Sequence, residues 1–228
     1  KLLVPAEYSG SEVIHDDDSE QVEARFTCID GRSIMLHCPA EAYAFVYSDE
    51  INMESVGVYL KEVLATHLPE NVENITLHLR EEVINSPYYH YTHGLKKHDG
   101  NCQRIAHGHR SRIDIILDGK VCSESQQYWA DRWADIYIAT REDEIAYSDR
   151  KLKGEVANET DYYCFAYESS QGYFELLIPK SDCEVIETDS TVECLAQYLL
   201  EEQKKRTPDG VCQVIAYEGV GKGATVKG

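Results

Sequence analysis

The sequence predicts an α+β fold that carries an internal duplication. Two helical patterns, over residues 53–60 and 192–199, share Glu, Tyr and Leu in the same register. Each is followed by a turn that contains a proline and then by a run of residues typical of a strand. Because a helix and a strand recur together in both halves, we expect a repeated unit that contains both kinds of element.

Each predicted helix carries one apolar stripe, which we expect to be buried. The stripes comprise Val56, Tyr59, Leu60, Val63 and Leu64 in the first helix, and Leu195, Ala196, Leu199 and Leu200 in the second. Basic residues 204–206 stand at the end of the second helix, where cations favourably meet the negative end of the helix dipole. We therefore do not interpret them as a nucleic-acid patch.

A strand is predicted after each helix, over residues 75–79 and 212–216. Each of these strands runs into a glutamate, Glu81 in the first half and Glu218 in the second. The matching positions predict that the two glutamates occupy equivalent places in the repeated unit.

The correspondence extends upstream of the helices. Residues 33–46 and 172–186 each contain a strand, a proline, a polar turn and a second strand. We therefore predict two copies of one unit. Residues 1–82 form a truncated first copy without the metal motif described below, and residues 83–228 form the second copy.

The composition limits the possible partners. A formal charge of −19 disfavours nucleic acid and anionic membranes. No apolar run is long enough to span a membrane, and residues 1–5 are too short for a signal peptide. The eight cysteines lack the spacing of a disulfide framework, which favours a reducing cytoplasm. The acidic run at Asp16, Asp17 and Asp18 lacks the pattern of a calcium loop and predicts a solvated turn.

A His-Gly-His motif is the main chemical signal. On an extended segment His107 and His109 project to the same side, and they share parity with the apolar positions of the strand predicted over residues 112–117. With His93 they could hold zinc and leave its fourth position open, as in catalytic sites. Cys102 lies between them, and a nearby cation lowers the pKa of a thiol. Histidines in polar loops are often merely solvated, so spacing alone leaves both readings open.

The ordered motifs resemble the 6-pyruvoyltetrahydropterin synthase and 6-carboxytetrahydropterin synthase family. The matching stretches are Thr92-His93-Gly94-Leu95, Cys102-Gln103-Arg104-Ile105-Ala106-His107-Gly108-His109, Asp135-Ile136, Thr191-Val192-Glu193-Cys194 and Tyr217-Glu218-Gly219. The resemblance covers about residues 83–228, and residues 1–82 resemble the back half of another unit. It implies tandem T-fold units, each an antiparallel four-stranded sheet with two helices on one face. Such units assemble into barrels, so a homo-oligomer is implied.

The resemblance also implies an activity. It is that of a zinc-dependent lyase acting on 7,8-dihydroneopterin triphosphate, a small-molecule pterin, with loss of triphosphate and a pyruvoyl or carboxy tetrahydropterin as product. The residues implied are His93, His107 and His109 as zinc ligands, Cys102 and Asp135 as catalytic groups, and Glu218, Thr191 and Glu193 as the pterin pocket.

One departure from the family pattern concerns proton transfer. Ile136 follows Asp135 where the family has a histidine, and isoleucine cannot relay a proton. His90 and His98 are the histidines nearby in sequence that could take this role. The alternative function is therefore a catalytically impaired pterin- or purine-binding T-fold protein that retains the metal site. A purely structural or interaction role is the third class considered.

Simpler interpretations stand beside the implied binding roles. Glu193 is also a favourable acid for the first turn of a helix, and Thr191 is a suitable helix cap. Glu81 matches Glu218 by the repeat, but no histidine motif precedes it, so it is either a vestige or a pterin contact at an interface. These alternatives stay open at the level of sequence.

Overall fold

The chain folds around two large β-sheets, which the computed structural model describes for residues 1–15 and 20–228. Asp16, Asp17 and Asp18, predicted as a solvated turn, lie outside the described residues. The strands are β1 (Leu2–Pro5), β2 (Ser11–His15), β3 (Gln21–Thr27), β4 (Ser33–Pro39), β5 (Tyr43–Val46), β6 (Tyr88–His93), β7 (His107–Leu117), β8 (Lys120–Val121), β9 (Ala134–Thr140), β10 (Glu144–Ile145), β11 (Tyr162–Ser169), β12 (Gly172–Pro179), β13 (Cys183–Ile186), β14 (Cys212–Tyr217) and β15 (Gly223–Lys227); the α-helices are α1 (Met53–Ala65), α2 (Ser123–Arg132) and α3 (Val192–Arg206). The α+β class is confirmed.

The first sheet has the strand order β13-β9-β6-β7-β14-β15, and β8 pairs with β7 at its side. Within it β6, β7, β14 and β15 are antiparallel neighbours, whereas β9 runs parallel to both β6 and β13. Helices α2 and α3 cover one face of this sheet. Their shared core includes Tyr89, Tyr91, Ile113, Ile115, Trp129, Trp133, Leu195, Leu199 and Val214. Four antiparallel strands under two helices are therefore observed in the second half of the chain.

The second sheet joins the two halves of the chain. Its six strands have the order β10-β11-β12-β4-β3-β2, and all its pairings are antiparallel. The strands from the two halves meet where β4 pairs with β12, with Leu36 opposite Leu176. One face packs into a core that draws on both halves, including Val22, Ala24, Tyr43, Phe165, Phe174 and Tyr137.

The two upstream segments have the element order that the sequence predicted. In one, β4 leads through a short 3-10 turn into β5, and in the other β12 leads through a similar turn into β13. Each second strand has a parallel partner, β1 beside β5 and β9 beside β13. The strand, proline, turn and strand predicted in both places are therefore confirmed.

The helix predictions are half right. The apolar stripe of α3 is buried against the first sheet, because Leu195, Ala196, Leu199 and Leu200 join its core. In α1, by contrast, none of the thirteen residues is buried, and Val63 and Leu64 are exposed. The predicted burial of the α1 stripe is wrong because no sheet of the described residues covers this helix as β14 and β15 cover α3.

The strand predicted over residues 75–79 is also not formed. These residues show the alternating exposure of a strand, with Ile75, Leu77 and Leu79 half-buried and the residues between them exposed, yet they belong to no sheet. Leu79 instead lies beside α1, where its Cδ1 would be 3.5 Å from a Cβ placed on Gly57. The apolar alternation is present, but among the described residues no neighbouring strand provides a hydrogen-bonded ladder.

A segment that we call the strap, residues 151–154, crosses the second sheet. The carboxylate of Glu175 accepts hydrogen bonds from the amides of Lys151 and Leu152, at 2.9 and 3.1 Å. Glu23 accepts from the amides of Lys153 and Gly154 at the same two distances. Both carboxylates are buried, so each compensates its desolvation by holding two successive peptide groups.

Two further observations bear on the sequence predictions. All eight cysteines are free thiols. Among the described residues no helix is long and apolar enough to cross a membrane.

Candidate metal and substrate site

Strand pairing brings three histidines together at one end of the first sheet. His93, at the end of β6, lies opposite His107, at the start of β7. His109 follows on the same face of β7 as His107, in line with the buried Ile113 and Ile115. One ligand atom from each ring lies within 4.8 Å of the others. We call His93, His107 and His109 the histidine triad; the predicted parity of the two β7 histidines with the apolar face is confirmed.

The triad presents three inward nitrogens that lack a hydrogen-bond partner. The Nε2 atoms of His93, His107 and His109 are all buried without a hydrogen bond, and that of His109 faces the carboxylate of Glu218. On the opposite side of two of the rings, Nδ1 is engaged: in His93 it lies 2.8 Å from Ser190 Oγ, and in His107 3.1 Å from the carbonyl oxygen of Arg104. An imidazole whose Nδ1–H is held by an acceptor leaves its Nε2 lone pair free, which suits metal ligation. The donor set therefore fits a divalent transition metal such as zinc.

Burial keeps these rings neutral. Desolvation lowers the pKa of His93 well below its usual value, and His107 and His109 add to the effect. In His107, burial lowers the pKa to about 4. The pKa of His109 is also lowered by burial, although the neighbouring Glu218 opposes the shift. Since metals bind the neutral imidazole, the environment favours the ligand form at neutral pH.

Glu218 follows directly after β14, as predicted, and its carboxylate lies beside the triad. Its Oε1 is 3.2 Å from Nε2 of His109, and its Oε2 is 2.9 Å from Nζ of Lys222. Lys222 stands on the turn between β14 and β15, and Gly219 and Gly221 of this turn both have positive φ, 97° and 70°. The Glu218 side chain is thus mostly buried, with a histidine on one side and a lysine on the other.

Cys102 is held on a short 3-10 turn between β6 and β7. The amide of Leu95 donates to the carbonyl oxygen of Cys102 at 2.9 Å, which closes the loop between β6 and β7. Lys222 connects this loop electrostatically with the rest of the site. Its pKa is raised chiefly by Glu218 and, more weakly, by Cys102 and Glu193. Of these three groups, Glu218 is the one in direct contact with the ammonium group, at 2.9 Å.

The N-terminus of α3 adjoins the triad. Thr191 is the helix cap and accepts a hydrogen bond from the amide of Cys194 at 3.4 Å. Glu193 lies in the first turn with its side chain exposed. The capping and first-turn roles considered for these two residues are therefore present, and both residues follow Ser190, whose Oγ contacts His93. Asp189, one residue earlier, lies 3.5 Å from Lys97 on the loop that carries Cys102.

Asp135 is not brought to the triad. It adopts φ of 56°, in the left-handed region, and its exposed carboxylate lies 2.5 Å from Nδ1 of His90. Because side chains alternate along β6, His90 points to the face opposite the buried Tyr89, Tyr91 and His93. Ile136, in the place of the family's histidine, packs at the margin of the first core.

Three residues near the triad were not predicted. Ser190 is completely buried against His93, and Lys222 pairs with Glu218. Tyr91 packs its ring 5.1 Å from His93 and 5.6 Å from His109, and its hydroxyl is buried without a hydrogen-bond partner. Tyr91 lies two residues before His93, so the same face would have been expected for both had this segment been interpreted as a strand. Ser190 and Lys222 lie far along the sequence from the histidine motif and had no such signal.

Comparisons with known proteins point to one family. The family model described as 6-pyruvoyl tetrahydropterin synthase matches residues 82–228. A solved structure of 6-pyruvoyl tetrahydropterin synthase from Plasmodium vivax is 20% identical, with a TM-score of 0.44, and the match covers 64% of this chain and 94% of that one. The enzyme of the same description from Plasmodium falciparum is 18% identical, with a TM-score of 0.43 and the same coverage. No curated protein matches the chain.

Proposed function

Because the chain belongs to the 6-pyruvoyl tetrahydropterin synthase family, we propose that it is a zinc-dependent lyase of pterin metabolism. Its substrate would be 7,8-dihydroneopterin triphosphate, from which it would release triphosphate. The observation that carries the proposal is the convergence of the three buried Nε2 atoms of the histidine triad, none of which is hydrogen-bonded, beside the Glu218 carboxylate.

In this proposal His93, His107 and His109 hold the zinc ion. When bound, zinc would polarise oxygens of the substrate side chain and favour loss of a proton from the adjacent carbon. The triad residues themselves supply three neutral donors and leave the ion its positive charge. Their burial excludes water from the protein side of the site, which strengthens electrostatic interactions there.

Cys102 is proposed to remove the substrate proton. A thiolate is the required form, and positive charge nearby favours it. The zinc ion held by the triad would be one such charge. Glu218 is proposed to anchor the pterin by accepting hydrogen bonds from its amino and ring N–H groups. Thr191 and Glu193, at the start of α3, would complete the pocket.

Asp135 is proposed to act together with His90. The carboxylate beside Nδ1 of His90 orients this imidazole, as an aspartate does in proton-relay pairs. Since both side chains face away from the triad of their own chain, they would serve the site of a neighbouring copy. In this arrangement His90 would supply the proton relay that Ile136 cannot provide.

The proposal extends to the assembly. The two halves would be tandem T-fold copies, residues 1–82 truncated and residues 83–228 carrying the zinc site, and several chains would close into a barrel as a homo-oligomer. The shared order of elements in the two upstream segments and the four antiparallel strands under α2 and α3 support this proposal. The eight free thiols favour the reducing cytoplasm as its location.

The test is to measure bound zinc and triphosphate release for the wild type, Cys102→Ala and a control, Cys28→Ala. Cys28 is also half-buried but follows β3, on the second sheet. We expect about one zinc per chain in all three proteins, and loss of triphosphate release in Cys102→Ala alone. Release by Cys102→Ala at the wild-type rate would remove the proposed base.

A second function is favoured by the position of Asp135. Since the structure keeps this residue away from the triad of its own chain, a protein that binds zinc and pterin without turnover is the alternative. It predicts stoichiometric zinc and pterin binding with no triphosphate release by the wild type. Any release that depends on Cys102 would exclude this alternative.

A further inference from the structure

We propose that Ser190 is a positioning residue that fixes His93 as a metal ligand and couples the metal to the N-terminus of α3. The inference rests on the metal site of the proposed function. It concerns metal affinity, however, and does not require that the chain turn over a pterin.

The contact between Ser190 and His93 is isolated from solvent. Their relative exposures are 0% and 1%, and Oγ lies 2.8 Å from Nδ1. For Nε2 to bind a metal, Nδ1 must carry the proton and donate it to an acceptor, which here is the Ser190 oxygen. Without that hydroxyl the buried Nδ1–H would keep only a backbone interaction with Ser190, and the ring would lose the side-chain contact that helps to set its tautomer.

Ser190 differs from the group that holds the second ligand. Nδ1 of His107 contacts the carbonyl oxygen of Arg104, which is only three residues away and belongs to the backbone. Ser190, by contrast, is 97 residues from His93 in sequence. The contact therefore ties β6 to a distant element, and a change in the position of His93 is transmitted across the fold.

That distant element is the start of α3. Ser190 directly precedes Thr191, whose hydroxyl caps the helix, and Asp189 on its other side pairs with Lys97 on the Cys102 loop. A metal that fixes His93 thus also fixes the peptide that carries Thr191 and Glu193. If the metal raises the affinity of a ligand for the N-terminus of α3, linkage requires that this ligand raise the affinity of the metal by the same factor.

The test uses zinc alone on the full chain, with Ser190→Ala and, as matched control, Ser125→Ala. Ser125 is also buried and accepts a hydrogen bond from Gln203 at 3.1 Å, but in the core between α2 and α3. Zinc affinity is measured by competition with a chelator, and the ligand geometry by the absorption spectrum of the cobalt-substituted protein. We expect Ser190→Ala to bind zinc about 10- to 100-fold more weakly, with an altered cobalt spectrum, and Ser125→Ala to match the wild type.

Two further measurements separate positioning from packing. Ser190→Thr retains the hydroxyl and should restore most of the zinc affinity, with circular dichroism verifying its fold. Zinc should also slow hydrogen exchange of the first-turn amides of α3 in the wild type and much less in Ser190→Ala. Unchanged zinc affinity in Ser190→Ala, or an equal loss in Ser125→Ala, would overturn the inference.

The outcomes distinguish this inference from the proposed function. Weakened zinc binding in Ser190→Ala, together with no triphosphate release by the wild type, would support the positioning role and reject the lyase. Normal triphosphate release by the wild type, together with equal zinc affinity of the wild type and Ser190→Ala, would support the lyase and reject the positioning role. A wild type that does not bind zinc would reject both.

Discussion

Leu36 and Leu176 lie directly opposite each other where β4 pairs with β12. Both side chains are buried in the core that the two halves share. They also occupy matching places in the two similar segments, three residues before the proline that ends each strand. The two segments therefore meet antiparallel at equivalent positions, as in a contact with local twofold symmetry.

This contact predicts a measurable coupling between the two leucines. Leu176→Ala should lower the free energy of unfolding by about 3 kcal/mol, and Leu36→Ala by a similar amount, because each removes buried methyl groups. The double variant should lose about 0.5–1 kcal/mol less than the sum, since the first truncation already removes the shared contact. Urea unfolding measures all four proteins. Strict additivity would show that the side chains do not interact.

The attachment of the strap to the second sheet should depend on the two acceptor oxygens of Glu175. Glu175→Gln replaces one acceptor oxygen with an NH2 group that faces backbone donors, and should lower the free energy of unfolding by about 2 kcal/mol. Limited proteolysis should also cleave the strap faster. Glu12→Gln, at an exposed carboxylate, is the control and should change neither result. A Glu175→Gln protein as stable as the wild type would mean that the carboxylate does not hold the strap.

The metal-free protein should lose stability in acid because of the triad. The folded state holds the pKa of His107 at about 4, whereas an unfolded histidine titrates near 6.5. Between these pH values the unfolded state binds more protons, so stability falls as pH decreases from about 6.5 to about 4. The loss due to this residue should approach about 3 kcal/mol. In chelator-treated protein, His107→Gln should flatten the slope, and an unchanged slope would contradict the assignment.

Glu218 should be needed for pterin binding but not for metal binding. Glu218→Gln should weaken the binding of a reduced pterin at least tenfold, because the amide replaces one acceptor by a donor. Zinc content should remain about one per chain. Isothermal titration with pterin and metal analysis give both values. Glu201→Gln, exposed on α3, is the matched control, and equal pterin affinity in the two variants would reject the anchoring role.

The proposed sharing of Asp135 between copies predicts complementation. Cys102→Ala and Asp135→Ala chains should each be inactive alone. After mixed unfolding and refolding, or coexpression, some sites would combine an intact Cys102 with an intact Asp135 from another chain, and triphosphate release should return in part. Absence of any recovery in verified mixed oligomers would place both residues in the same chain's site.

The sequence was most informative where function follows local spacing. His107 and His109 are two residues apart on a strand, so their common face was predictable, and so was the burial of the α3 stripe. His93 could be named as a candidate third ligand, but its place beside His107 was not predictable from spacing, because the two residues are fourteen positions apart in the chain. Glu218 was found through the internal repeat, at the end of a strand whose apolar pattern is clear, and its role in pterin binding is implied by the family resemblance.

Other features depend on contacts that no local pattern encodes. The burial of α1 was predicted from a stripe as regular as that of α3, but burial requires a sheet, and none of the described residues supplies one. Residues 75–79 alternate like a strand, yet a strand also needs a hydrogen-bonding neighbour. Ser190 and Lys222 approach the triad through the packing of α3 and the turn after β14, and their sequence context did not indicate this.

The pairing of β4 with β12 also bears on how such a chain can change over generations. A substitution in the strands of the first half must still fit the strands and the core of the second half, however far it lies from the histidines. Selection on the chemistry of one half therefore also preserves the shape of the other, which contributes none of the triad. A mutational map of the chain should accordingly show intolerance on both sides of this strand pair, and the histidine end should not be its sole sensitive region.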